Sequence, residues 1–187
     1  MKKTFLLTVI AVIVAACGGA GSSPKLVVTM DGKATTLDLK EGVILTSFGH
    51  AGDDQKWQEL TVNLPTYEVK NSSDIARSMN APGEAMVQLA LIGRQGTDAA
   101  TPMEKNNYPG YDPDNKASHF GAAYLKMNVE GKQITKNPID FQGGKWEGSV
   151  KFSDVTGDTV KGEVDIKYGD KISIKGNFNA KVKGKEF

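Results

Sequence analysis

From residue 25 onward, apolar and polar positions mostly alternate with period two, the pattern of strands with one buried and one wet face. Leu26, Val28 and Met30 alternate up to Asp31-Gly32, a dipeptide that favours a tight hairpin turn, and Leu37 and Leu39 continue beyond it. Leu125, Met127 and Val129 alternate with Lys126, Asn128 and Glu130, and Glu130-Gly131 offers a second turn. Residues 57–64 and 85–92 predict further strands, although the second run also reads as a short helix. Residues 71–81 have helical character that Pro82-Gly83 ends early.

The C-terminal third carries the sharpest pattern. Trp146-Glu-Gly-Ser-Val-Lys-Phe152, Val160-Lys-Gly-Glu-Val-Asp-Ile166 and Ile174-Lys-Gly-Asn-Phe-Asn-Ala180 share one motif at a spacing of 14 residues. Each reads apolar, polar, Gly, polar, apolar, polar, apolar, which predicts a three-stranded antiparallel meander. A one-residue slip would send every side chain to the wrong face, so parity sets the loops. Ile166 opposite Ile174 leaves Gly169-Asp170-Lys171 as a three-residue loop. Phe152 opposite Val160 leaves Val155-Thr156-Gly157. The implied inward rows are Trp146–Ile166–Ile174, Gly148–Val164–Gly176, Val150–Gly162–Phe178 and Phe152–Val160–Ala180. Phe178 then lies over Gly162, and Asp165 falls opposite Lys175 on the wet face. Repeated inward Gly suits a curved sheet or small barrel, or makes room for large side chains in a sandwich. The expected fold is therefore mainly β, an antiparallel barrel or sandwich ending in this meander, as a single domain over residues 25–187.

Charge and cysteine content narrow the setting. The 23 basic and 22 acidic residues leave a formal charge of +1, which gives no electrostatic reason to expect nucleic acid as a partner. A single Cys excludes a disulfide framework and a multi-cysteine metal site. Lys2 and Lys3 precede an uncharged apolar run over residues 5–16. That run is too short to cross about 30 Å of hydrocarbon, and its charged, apolar and small-residue zones are those of a secretory signal peptide.

Val14-Ala15-Ala16-Cys17 resembles the lipobox of bacterial lipoproteins, in which cleavage exposes the Cys and acyl chains such as palmitate are attached to it. The resemblance implies a signal peptide over residues 1–16, lipidation at Cys17, and a flexible Gly- and Ser-rich tether through Pro24. More than one acyl chain makes such an anchor stable, each buried CH₂ adding about 0.8 kcal/mol. Gly18 stands where an Asp would resemble an inner-membrane retention signal, which implies delivery to the outer membrane, its face left open. The C-terminal 14-residue units also resemble the meander of uncharacterised outer-membrane lipoproteins. Loss of residues 1–16 removes two Lys and no acid, so the mature charge is near −1.

Signatures of catalysis are absent: there is no Walker-type phosphate loop, no Gly-x-Ser-x-Gly and no His-Glu-x-x-His. His50 and His119 are the only two histidines, and no cofactor is expected. Residues 94–119 run without clear periodicity and contain Pro102, Pro109 and Pro113. Loops of that length are uncommon unless functional, and a proline-pinned surface excursion is the plain alternative. Tyr108, Tyr111 and Asp112 are candidates for contacting a protein or glycan partner. The oxygens of Asp112, Asp114 and Asn115 suit Ca²⁺, although the Gly and Glu positions of an EF-hand loop are missing. His50-Ala-Gly-Asp53-Asp54 reads as a polar turn, and Asn71-Ser72-Ser73 matches a glycosylation pattern for which a bacterial lipoprotein has no general use. The expectation is a non-catalytic binding or structural β-domain tied to the membrane through Cys17. A small-ligand carrier barrel and a hydrolase without a recognisable motif are the alternatives.

Overall fold

A computed structural model describes residues 23–50, 56–111, 117–137 and 145–183. The expected β domain is present. Eleven strands form one sheet, and the described residues include one five-residue helix. Strands β1 (Lys25–Met30) and β2 (Lys33–Asp38) form a hairpin, followed by β3 (Gly42–His50), β4 (Lys56–Pro65) and β5 (Ala85–Gln95). The short β6 (Asn106–Pro109) precedes β7 (His119–Val129) and β8 (Lys132–Lys136). The meander is β9 (Trp146–Thr156), β10 (Thr159–Tyr168) and β11 (Ile172–Lys183). Residues 85–92 are strand, not helix, because they pair on both sides, with β4 and with β7.

The main path of the sheet is β6-β9-β10-β11-β3-β4-β5-β7-β8, with β1 and β2 added alongside the first half of β11. Among the described residues every ladder is antiparallel except β11 with β3. That single parallel seam makes β6 and β7 run in the same direction, and they meet at one isolated parallel bridge, Gly110 with Phe120. The sheet curls until these strands touch, but among the described residues no ladder closes it into a barrel. One continuous core results, with buried side chains drawn from every strand of that path except β8.

Two chains of aromatic edge contacts fill that core. Phe120, Trp146 and Tyr168 link β7, β9 and β10 at centroid distances of 5.4 and 5.5 Å. Tyr108, Phe152 and Phe178 link β6, β9 and β11 at 5.2 and 6.2 Å. Such contacts add to the burial of the rings themselves and favour one packed arrangement.

Between β10 and β11 the register is the expected one: Ile166 faces Ile174, Val164 faces Gly176, Gly162 faces Phe178 and Val160 faces Ala180. Gly169-Asp170-Lys171 is the connecting loop, and the outward pair Asp165–Lys175 is bridged at 2.8 Å. Between β9 and β10 the expected register is wrong. Phe152 faces Gly162 and Val155 faces Val160, with a shift between Lys161 and Gly162 that leaves Ser153 as the extra residue. Parity fixes a register only where pairing is uninterrupted. The bulge at Ser153, whose hydroxyl donates to the Lys161 carbonyl at 3.1 Å, turns Val155 towards the core and leaves Gly157-Asp158 as the turn.

The repeated glycines have two separate reasons. Gly162 is buried and makes space, since a Cβ there would overlap the Phe178 ring. Gly148 and Gly176 instead adopt φ of +92° and +148°, and a Cβ at either would run into a neighbouring strand's carbonyl, that of Asp165 or Lys25. Gly148 is also exposed, so the expectation that it faces inward fails. These two positions let backbone approach backbone; they do not accommodate large side chains.

Candidate functional site

Residues 94–119 are less irregular than their sequence suggests. The turn after β5 is tied to β4: Thr97 Oγ1 accepts from the Gln58 amide at 2.9 Å and donates to the Arg94 carbonyl at 2.7 Å. Gln58 Nε2 donates to the Thr101 carbonyl at 2.7 Å, and Asp98 and Thr101 close the turn on each other. Met103 packs against the core, and β6 pairs with β9 through Tyr108 opposite Val150. Pro109 is part of that strand.

This placement corrects the expected aromatic surface. Tyr108 is 4% exposed, its ring edge-on to Phe152 inside the sheet, and burial pushes its hydroxyl above the usual tyrosine range. A pleated strand sends alternate side chains to opposite faces, and position 108 takes the inner one. Tyr111 is 52% exposed and stands against His119 with ring centroids 4.9 Å apart, next to the Gly110–Phe120 bridge. Asp112, Asp114 and Asn115, and with them the Ca²⁺ candidate, lie outside the described residues, as do Cys17 and residues 51–54 of the expected polar turn. Among the described residues, no group of three or more His, Cys, Asp or Glu is placed to hold a metal ion. Nor is any helix of the described residues long and apolar enough to cross a membrane.

The excursion between β4 and β5 carries a short helix, α1 (Ser72–Ala76), capped by Asn71, whose side chain accepts from the Ser73 amide at 3.0 Å. Asp74 returns the bond to the Asn71 amide, completing a capping box. The Asn71 side chain thus has a structural task. Arg77 lies over the Tyr67 ring at 3.8 Å and grips Glu84 through two nitrogens at 2.7 and 3.3 Å. Arg77 and the amides of Ala81 and Asn80 hold the Glu84 carboxyl below the usual carboxylate range. The pair closes the excursion on itself, and Asn128 Nδ2 pins it to β7 by donating to the Met79 carbonyl at 3.0 Å. The bonds of this cluster run within the excursion and to the strand beneath it, so it is read as a clamp.

One further constellation was not legible as a site. On β3 and β4, Ser47, Gly49, Trp57 and Glu59 share the outer face, opposite the inward row Leu60, Val62 and Leu64. Trp57 leans across Gly49, where any Cβ would overlap the indole, and its Nε1 donates to Glu59 Oε1 at 3.2 Å. Ser47 Oγ donates to Glu59 Oε2 at 3.4 Å. Trp57, Glu59 and Ser47 are all partly exposed. In the sequence Trp57 is one apolar residue of a strand; the register brings Gly49 and Ser47 to it from the neighbouring strand.

No protein-family model, curated protein or solved structure matches this chain.

Proposed function

We propose that the chain is a lipid-anchored protein of the bacterial outer membrane whose β domain is a non-catalytic module presenting its surface to a protein or glycan partner. The reading is carried by Val14-Ala15-Ala16-Cys17, which places the chain's single Cys directly after a signal-peptide-like segment. The tether after it reaches the domain at Pro24, whose carbonyl accepts from the Leu39 amide at 3.0 Å where β1 begins. The binding module is favoured over the carrier because aromatic rings occupy the space inside the curled sheet. Tyr111 and the Trp57 patch supply partly exposed aromatic surface on the outside.

The anchor is tested by replacing Cys17 with Ser in cells fed a clickable palmitate analogue. Labelling should disappear and the protein should leave the membrane fraction. Labelling that persists in Cys17→Ser overturns the reading. The partner is sought by pull-down from envelope extract, comparing the unaltered chain with Tyr111→Ala and Trp57→Phe. These variants spare β6, which a longer deletion across residues 102–116 would remove from the sheet.

A further inference from the structure

We propose that Trp57, Glu59 and Ser47 form a binding site for β-linked pyranose oligosaccharides on the outer face of the β3–β4 hairpin. The proposal deepens the binding-module reading by naming its partner class, and it does not depend on the anchor.

The first observation is where the indole sits. The chain's other tryptophan, Trp146, is 8% exposed and belongs to the core. Trp57 is on the outer side of the sheet and keeps part of its surface exposed. An indole left there forgoes part of the burial that makes tryptophan a core residue. Gly49, directly opposite in register, lets the ring lean across the neighbouring strand. The Nε1 edge of the indole lies over Gly49, and part of the Trp57 side chain stays in contact with water.

The second observation is that the patch is held in place. Glu59 accepts from the indole with one oxygen and from Ser47 with the other. Both side chains are thereby oriented before any ligand arrives, which lowers the ordering cost of binding. A carboxylate offers about four acceptor positions, so two used bonds leave capacity for further donors.

The chemistry then selects the ligand. An aromatic surface beside a carboxylate asks for a molecule with a flat apolar face and hydroxyl donors at its edge. A pyranose with equatorial substituents has this form, its axial C–H groups making one continuous apolar face. Anionic ligands are disfavoured by Glu59. A cation could also use an aromatic ring beside a carboxylate, but cationic cages surround the charge with several rings, and among the described residues Trp57 is the one ring that Glu59 contacts. The glycine–aromatic pair also supports the sheet in its own right, as aromatic neighbours of strand glycines do. That role does not require Glu59 and Ser47 to be arranged around the indole.

The two tryptophans make a direct test. The full-length ¹⁵N-labelled chain in detergent micelles should give two indole N–H resonances, assigned by Trp57→Phe. Titration with cellotriose and with chitotriose should shift the Trp57 resonance saturably and leave Trp146 still, with Kd in the range of about 0.1–5 mM for so small a contact. Glu59→Gln should weaken binding about fivefold or more. Gly49→Ala, which displaces the indole without removing it, should abolish it. Far-UV circular dichroism of each variant checks that the sheet persists, and Glu59→Gln keeps the test decisive if Gly49→Ala does not fold. No saturable shift with either sugar up to about 10 mM overturns the proposal. So does a Trp57 shift with choline but with neither sugar, or an affinity unchanged in Glu59→Gln. Each of these three results leaves the anchor and pull-down experiments to stand or fall separately.

Discussion

Three glycine-to-alanine substitutions should separate backbone strain from steric overlap in this sheet. Gly121 lies exposed in β7, and a Cβ there would meet nothing closer than the Ala90 carbonyl at 3.6 Å. Alanine should be neutral or stabilise by about 0.5–1 kcal/mol, by reducing the freedom of the unfolded chain. Gly162 has no unusual φ, but its added methyl would enter the Phe178 ring and press on the Lys151 carbonyl at 2.7 Å. Phe178 is 1% exposed and has little room to retreat, so overpacking should cost about 1–3 kcal/mol. Gly176 combines both penalties. Its φ of +148° is costly for alanine, about 1–3 kcal/mol, and its Cβ would overlap the Lys25 carbonyl, which is backbone and cannot rotate away. Relief requires β1 to lift off β11, opening the pairing of Leu26, itself fully buried, with Gly176. The expected total is about 3–5 kcal/mol. Urea unfolding of the full-length chain in detergent, followed by tryptophan fluorescence, gives each value from the midpoint at constant slope. A Gly176→Ala cost below about 1 kcal/mol, or no larger than that of Gly162→Ala, would refute the reasoning.

Two further outcomes follow from the core and the clamp. Phe178→Ala removes a ring shared by Phe152 and Gly162 and should cost about 3–5 kcal/mol in the same assay, well above Tyr111→Ala, whose half-exposed ring should cost under about 1 kcal/mol. The Glu84 carboxyl is held below its ordinary range by Arg77 and two amides, so its stabilisation is complete above the unfolded-chain value of about 4.3 and is lost as pH falls through the lower folded value. Glu84→Gln should therefore lower stability by about 1–2 kcal/mol at pH 7. Thermal unfolding across pH should show the gap to the unaltered chain narrowing below pH 4; a gap independent of pH would remove Glu84 from that role.

Much of the fold was legible because its signals are local. Asp31-Gly32 and Glu130-Gly131 do connect paired strands, β1 with β2 and β7 with β8. The inward rows shared by β10 and β11 follow from parity alone, as does the Asp165–Lys175 pair. The β9–β10 register failed because one extra residue, Ser153, breaks the alternation without leaving a mark in the hydrophobic pattern. Tyr108 looked like surface because Pro, Gly and Tyr surround it in sequence, yet four residues of pairing with β9 were enough to turn it inward. The Trp57 patch was invisible for another reason. Gly49 and Glu59 are ten residues apart, and their meeting over an indole depends on a cross-strand register.

The sequence by itself determined the mainly β character, the Asp31-Gly32 and Glu130-Gly131 turns, the β10–β11 half of the meander and the lipobox-like segment at Cys17, but it marked neither β3 nor β6. The features it determined are written in neighbouring residues, where backbone preference and period-two alternation act directly. Tertiary structure decided the parallel seam between β11 and β3, the curl that brings Gly110 to Phe120, and the division of labour among Gly148, Gly162 and Gly176. Those depend on which distant strand lies alongside, and that choice is set by how all the strands together can bury their apolar faces in one core.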